Sequence, residues 1–174
     1  MALILDGSNG LSDVDGTAAT PAIRGADANT GIYFGNDVIG FSEGGTQCGE
    51  FDASANFKFN SGYGSVATAY GCRAWVNFNG TGTVSINASG NVSSVTDNGV
   101  GDYTVNFTNA MPNTNYAVFG GCREDSASVI YTSNRVVAPR RESAALSTGY
   151  TRIGVADFGY TAQDVEKVFV SIFR

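Results

Sequence analysis

The chain has no histidine. The commonest general base, the usual partner of a catalytic Ser or Cys, and the commonest metal ligand are therefore all missing. Charge is also sparse, at 15% of residues, and the net charge is −6 with no basic run. That composition excludes nucleic acid as a natural partner, because phosphate binding needs clustered Lys and Arg. No apolar run reaches the roughly 18 residues of a membrane span, so no membrane insertion is expected. The opening Met1-Ala2-Leu3-Ile4-Leu5-Asp6 lacks a basic n-region and a long h-region, so synthesis in a reducing cytosol without a signal peptide is expected. Cys48, Cys72 and Cys122 are odd in number and form no CxxC pair. A disulfide framework and a zinc site are both disfavoured, and three buried, reduced thiols are expected. Proline is scarce at 3 residues, and leucine is scarce as well.

What the chain does have is glycine, at 23 residues, with Val, Ile, Thr, Phe and Tyr carrying the apolar load. This is the composition of short strands joined by many turns. The run from Cys72 to Val118 is the organising stretch. Apolar and polar residues alternate in Thr83-Val84-Ser85-Ile86-Asn87 and again in Tyr103-Thr104-Val105-Asn106-Phe107, which places Val84 with Ile86, and Tyr103 with Val105 and Phe107. Asn79-Gly80-Thr81-Gly82 and Asp97-Asn98-Gly99 supply turn residues. Ala74-Trp75-Val76-Asn77-Phe78 is a strand whose Trp75 reads as a core or interface anchor rather than a sugar-stacking platform. Further strands are expected at 116–120, 129–131, 152–155 and 165–173. In the last, Val168, Val170 and Ile172 share one face, and Phe169 and Phe173 the other. Such a strand is central or lies at a subunit interface. Seven or eight strands in this length predict an antiparallel β-sandwich.

Residues 1–60 read differently. Strand-like pieces at 21–25, 31–35, 37–41 and 50–59 are interrupted by Gly or Asn every few residues. They hold too few apolar residues for two packed layers in one chain, but can bury their apolar sides if copies wind together. The expectation is an all-β chain with a short, extended, intertwined N-terminal stalk (1–60), a hinge at 61–71 around Ser61-Gly62-Tyr63-Gly64-Ser65, and a C-terminal knob at 72–174. Val66 to Tyr70 is open between a bridging strand and a helical turn.

Between the core strands lies a polar insert from Arg123 to Thr151. With Arg152 at its margin it holds five of the 10 basic residues, all arginine. Arginine and tyrosine on long loops are the equipment of a recognition surface. The candidate contact residues are Arg123, Glu124, Asp125, Tyr131, Asn134, Arg135, Arg140, Arg141 and Tyr150; the plainer alternative is a solvated loop with scattered ion pairs. Asp13-Val14-Asp15-Gly16 imitates a calcium loop but lacks its closing glutamate, so no metal site is expected. No cofactor is implied.

The stretch CRAWVNFNGTGTVSINASGNVSSVTDNGVGDYTVNFTNAMPNTNYAV resembles the C-terminal module of tail-fibre proteins of tailed bacteriophages, most like those of cyanophages. LILDGSNGLSDVDGTAATPAIRGADANTGIYF, DVIGFSEGG and FDASANFKFNSGYGSVATAYG resemble the segments that precede that module. The resemblance implies a non-enzymatic structural protein of the virion, a homotrimer. It would be fixed to tail or baseplate proteins by its N-terminal segment and touch a host cell-surface glycan with its knob. Relatives are far longer, with repeated shaft segments, so a short fibre is expected. Two alternatives remain open: an architectural part such as a head fibre, collar or baseplate piece with no receptor, and a depolymerase. The last would need carboxylates about 5–9.5 Å apart, and no such pair is recognisable.

Overall fold

The computed structural model describes residues 5–6, 10–11, 14–123, 135–141 and 145–174. Among them every regular element is a strand and every strand pairing is antiparallel. The chain divides into two compact units, Met1–Ala69 and Tyr70–Arg174.

In the first unit β1 (Leu5–Asp6) pairs with β2 (Gly10–Leu11). A six-stranded meander follows in chain order: β3 (Ile23–Arg24), β4 (Gly31–Gly35), β5 (Val38–Glu43), β6 (Thr46–Phe51), β7 (Phe57–Phe59) and β8 (Ala67–Thr68). Directly paired residues share a face. Ile23 pairs with Ile32, Ile32 with Phe41, Phe34 with Ile39, Ile39 with Phe51, and Phe51 with Phe57. One face is therefore apolar across the sheet. The other carries Tyr33, Glu50 and Lys58, with Lys58 bridging Glu50 at 3.3 Å and Asp52 at 2.8 Å. Ile23, Ile39, Phe51, Phe57 and Phe59 on the apolar face remain exposed. Residues 50–59, expected as one piece, are two strands. Asp52 breaks them apart: its Oδ1 accepts the backbone N–H of Ser54 and Asn56, both at 2.9 Å, and Ala55 takes a φ of 59°. Within Val66 to Tyr70, Ala67 and Thr68 are strand, paired with β7.

Among the described residues the second unit has eight strands: β9 (Cys72–Asn79), β10 (Ser85–Gly90), β11 (Val92–Gly99), β12 (Asp102–Phe107), β13 (Ala117–Arg123), β14 (Arg135–Pro139), β15 (Tyr150–Asp157) and β16 (Lys167–Phe173). They form two four-stranded sheets, β10-β9-β16-β13 and β11-β12-β15-β14. The core between them follows the period-two pattern. Ala74, Val76 and Phe78 of β9 and Val168, Val170 and Ile172 of β16 are buried from one sheet; Tyr103, Val105 and Phe107 of β12 and Ile153 and Val155 of β15 are buried from the other. The Phe78 and Tyr103 rings meet edge to face, 5.0 Å apart. β16 is central, between β9 and β13, yet its outward Phe169 and Phe173 stay partly exposed. The strand expected at 129–131 lies outside the described residues. The expectation of three buried thiols is corrected. Cys48 and Cys122 are only half-buried, and Cys72 is exposed because it opens β9, where the register with β16 shifts.

Candidate functional site

The candidate site is a cleft of about 500 Å³ on the outer face of the second sheet. Along β15 the residues Thr151, Ile153 and Val155 point into the core. The alternate positions, Gly154 and Ala156, face outward and floor the cleft, and Val136 and Ala138 of the neighbouring β14 continue it. Arg140 and Arg141 follow directly after β14 and form one wall; Asp157, Phe158 and Tyr160 after β15 form the other. The volume lies within the roughly 300–1,000 Å³ of small-molecule pockets.

Arg140 is held in place. Its Nη2 lies 3.3 Å from Asp102 Oδ2, and Asp102 also receives two hydrogen bonds from Arg152, Nε to Oδ1 at 2.8 Å and Nη2 to Oδ2 at 2.7 Å. A fork of this kind fixes orientation as well as charge. The Arg152 hydrogen bonds hold the Asp102 carboxyl below its ordinary pKa, against the opposing effect of burial, and the Arg140 charge adds to the lowering. The absence of a side chain at Gly154 lets Arg140 lie across the sheet: a Cβ there would stand 3.2 Å from Arg140 Cδ. Arg141, next in the chain, is exposed.

The opposite wall is a tight turn. Asp157 Oδ1 accepts the Thr161 N–H at 2.9 Å, and the Tyr160 N–H donates to the Asp157 carbonyl at 3.0 Å. Within it Tyr160 has a φ of 64°, a left-handed conformation unusual for an aromatic residue. The strained residue holds its ring almost wholly in solvent, at 93% exposure, with Phe158 at 66%. Sites of this kind are where backbone strain accumulates.

The predicted contact residues separate. Arg140 and Arg141 meet at the cleft. Arg135 opens β14 and is registered against Asp157. Tyr150 opens β15, about 20 Å along the strand from Ala156 at ordinary strand rise. Arg123 ends β13, in the other sheet. Glu124, Asp125, Tyr131 and Asn134 lie outside the described residues. Phe158 and Tyr160 were not singled out from the sequence, and Asp157-Phe158-Gly159-Tyr160 was the available signal: aromatics beside a glycine in a turn. Among the described residues no group of three or more Cys, Asp and Glu stands where it could hold a metal ion. No protein-family model, curated protein or solved structure matches the chain.

Proposed function

We propose that the chain is a tail-fibre protein of a bacteriophage virion. In this reading it adsorbs to the host cell surface through its C-terminal sandwich and attaches by its N-terminal segment to tail or baseplate proteins. The ligand is a surface glycan, and the cleft beside Arg141 and Tyr160 takes it. One observation carries the reading: a strained turn that displays Tyr160 and Phe158 opposite two arginines, one held by Asp102 and the other open to solvent. Aromatic faces stack on sugar rings, and guanidinium groups bond ring hydroxyls and acidic substituents. Such single sites are weak, and copies linked in one fibre gain avidity through effective concentration. The apolar face of the six-stranded sheet supports association, because a single sheet layer needs a cover for its apolar side. A homotrimer is the assembly that the resemblance implies.

The test is adsorption of labelled protein to a panel of bacterial cells and purified surface polysaccharides. Arg141→Ala and Tyr160→Gly are each expected to weaken binding by about tenfold or more, equivalent to about 1.4 kcal/mol, with the circular dichroism unchanged. Binding that neither substitution alters would remove the cleft from the account. Absence of binding to any cell or polysaccharide would favour the architectural alternative.

A further inference from the structure

The outer face of the first sheet carries a feature that the cleft does not use. On β9, β16 and β13 the large apolar residues at outward positions are Trp75, Phe169, Phe173 and Phe119, with Asn77 and Ser171 between them. The register sets them side by side: Trp75 pairs with Ser171, Ser171 with Phe119, Phe169 with Gly121, and Phe173 with Ala117. Phe119 and Phe173 pack edge to face at 5.8 Å. Trp75 lies flat on β10, since a Cβ on Gly90 would fall 2.4 Å from the indole Nε1. The four rings are 42% (Trp75), 64% (Phe119), 39% (Phe169) and 38% (Phe173) exposed.

The geometry points to this face as an interface between copies of the chain. It rests on the preceding reading only for the association of copies, and it names the surface by which the sandwiches meet. Two arguments commit the occupant to a second copy. The first is area. With about 150–250 Å² per aromatic side chain, the exposed fractions leave roughly 350–400 Å² of apolar surface on four rings. That is close to half of the roughly 800 Å² that each partner contributes to a specific interface. The neighbours Ala88, Gly90, Ala117, Gly121 and Ser171 are small and lie on the same face, so a flat partner can approach closely enough to supply the rest. The second is chemistry. Three of the four rings are Phe, which offers no hydrogen bond, and the polar neighbour of Phe169, Asn77, has its Oδ1 engaged by Asn87 Nδ2 at 3.2 Å, whereas a sugar platform needs polar groups around its rings to select hydroxyls. The cleft opens on the outer face of the other sheet, so this association leaves it accessible.

Trp75 is the only tryptophan, so its fluorescence reports on this face alone. The experiment uses the full chain and compares wild type, Phe119→Ser and Ser171→Arg by light scattering and by acrylamide quenching of Trp75. Wild type is expected to be oligomeric with Trp75 quenched at least about threefold less than in either variant, as interfacial burial requires. Dilution of wild type should raise quenching in step with dissociation. Phe119 is largely exposed and Ser171 is a small outward residue, so both variants are expected to keep the wild-type circular dichroism; should one lose it, the other decides. An oligomer whose Trp75 quenching neither variant changes overturns this interface while leaving the tail-fibre reading standing, because copies would then meet elsewhere. A wild-type monomer with Trp75 protected only on addition of an oligosaccharide overturns it in favour of a sugar platform. A monomer with Trp75 freely quenched overturns both this interface and the association of copies.

Discussion

Replacement of Tyr103 by Phe isolates one hydroxyl at the centre of the sandwich. The Tyr103 side chain is fully buried. Its hydroxyl lies 2.6 Å from Asp164 Oδ1 and 2.9 Å from the Gly80 carbonyl oxygen. It has one proton to donate, and the carboxylate is the stronger acceptor. The same Asp164 oxygen accepts the Gly101 N–H at 2.8 Å, so one carboxylate oxygen ties β12 and the residue before it to the segment before β16. Phe at this position keeps the edge-to-face contact with Phe78 and removes only the oxygen. A buried hydrogen bond to a charged group contributes about 1.5–3 kcal/mol. For a unit of this size each kcal/mol shifts Tm by about 4–8 °C, so a fall of about 10 °C is expected at fixed protein concentration. Urea unfolding of Tyr103→Phe, Asp164→Asn and the double variant should give a coupling of about 1 kcal/mol or more. Burial raises the Tyr103 pKa far above its ordinary value of 10.0. The hydroxyl's contribution is therefore fully present below pH 10 and is lost as the pH rises above it, because only the unfolded chain ionises there. The wild-type advantage over Phe should shrink above pH 10. A loss of less than about 0.5 kcal/mol, below the range for such a bond, with no alkaline convergence, would refute the reasoning.

Other substitutions test other parts of the structure. Asp102→Asn leaves Arg152 and Arg140 facing a neutral amide, and a loss of about 2 kcal/mol is expected, less than for a fully buried pair because both arginines are partly solvated. Since the folded Asp102 pKa lies below 3.8, that contribution is present above about pH 4 and is lost as the pH falls through the lowered value; urea midpoints against pH should converge in acid. Asn91 takes a φ of 55° in the turn between β10 and β11, and its side chain bonds the Arg73 and Asn109 carbonyls and the Asn109 N–H. Asn91→Ala should cost about 2–3 kcal/mol in thermal or urea unfolding through lost bonds and a disfavoured conformation. Tyr160→Gly should raise stability by about 1 kcal/mol by relieving the left-handed strain while weakening glycan binding. A loss of stability would show that the ring is held by contacts rather than displayed.

Legibility followed the range of the interactions. The alternation in Tyr103 to Phe107 and the two-faced Val168 to Phe173 are local patterns of period two, and both grouped together the residues that share a buried face. Thr83 to Asn87 was harder, because a bulge falls between Ile86 and Ala88 and shifts the rest of β10. Asp52 was hidden because a side-chain bond to its own backbone looks, in sequence, like one more polar residue in a strand. At the site, Arg140 and Arg141 were visible as arginines in a polar insert, but their floor was not. Gly154 and Ala156 become a surface only once β14 pairs with β15, and Arg152 meets Asp102 across 50 positions. Phe158 and Tyr160 were passed over because exposed aromatics in a turn have no periodicity to mark them.

The central proposal is that copies of the chain assemble with their apolar sheet faces covered by one another. The most direct test is the solution mass of the intact chain by light scattering at micromolar concentration. The account predicts a mass near three times 18.1 kDa, falling when Phe57 and Phe119 are both replaced by serine. A single species of 18.1 kDa that persists at high concentration would contradict it.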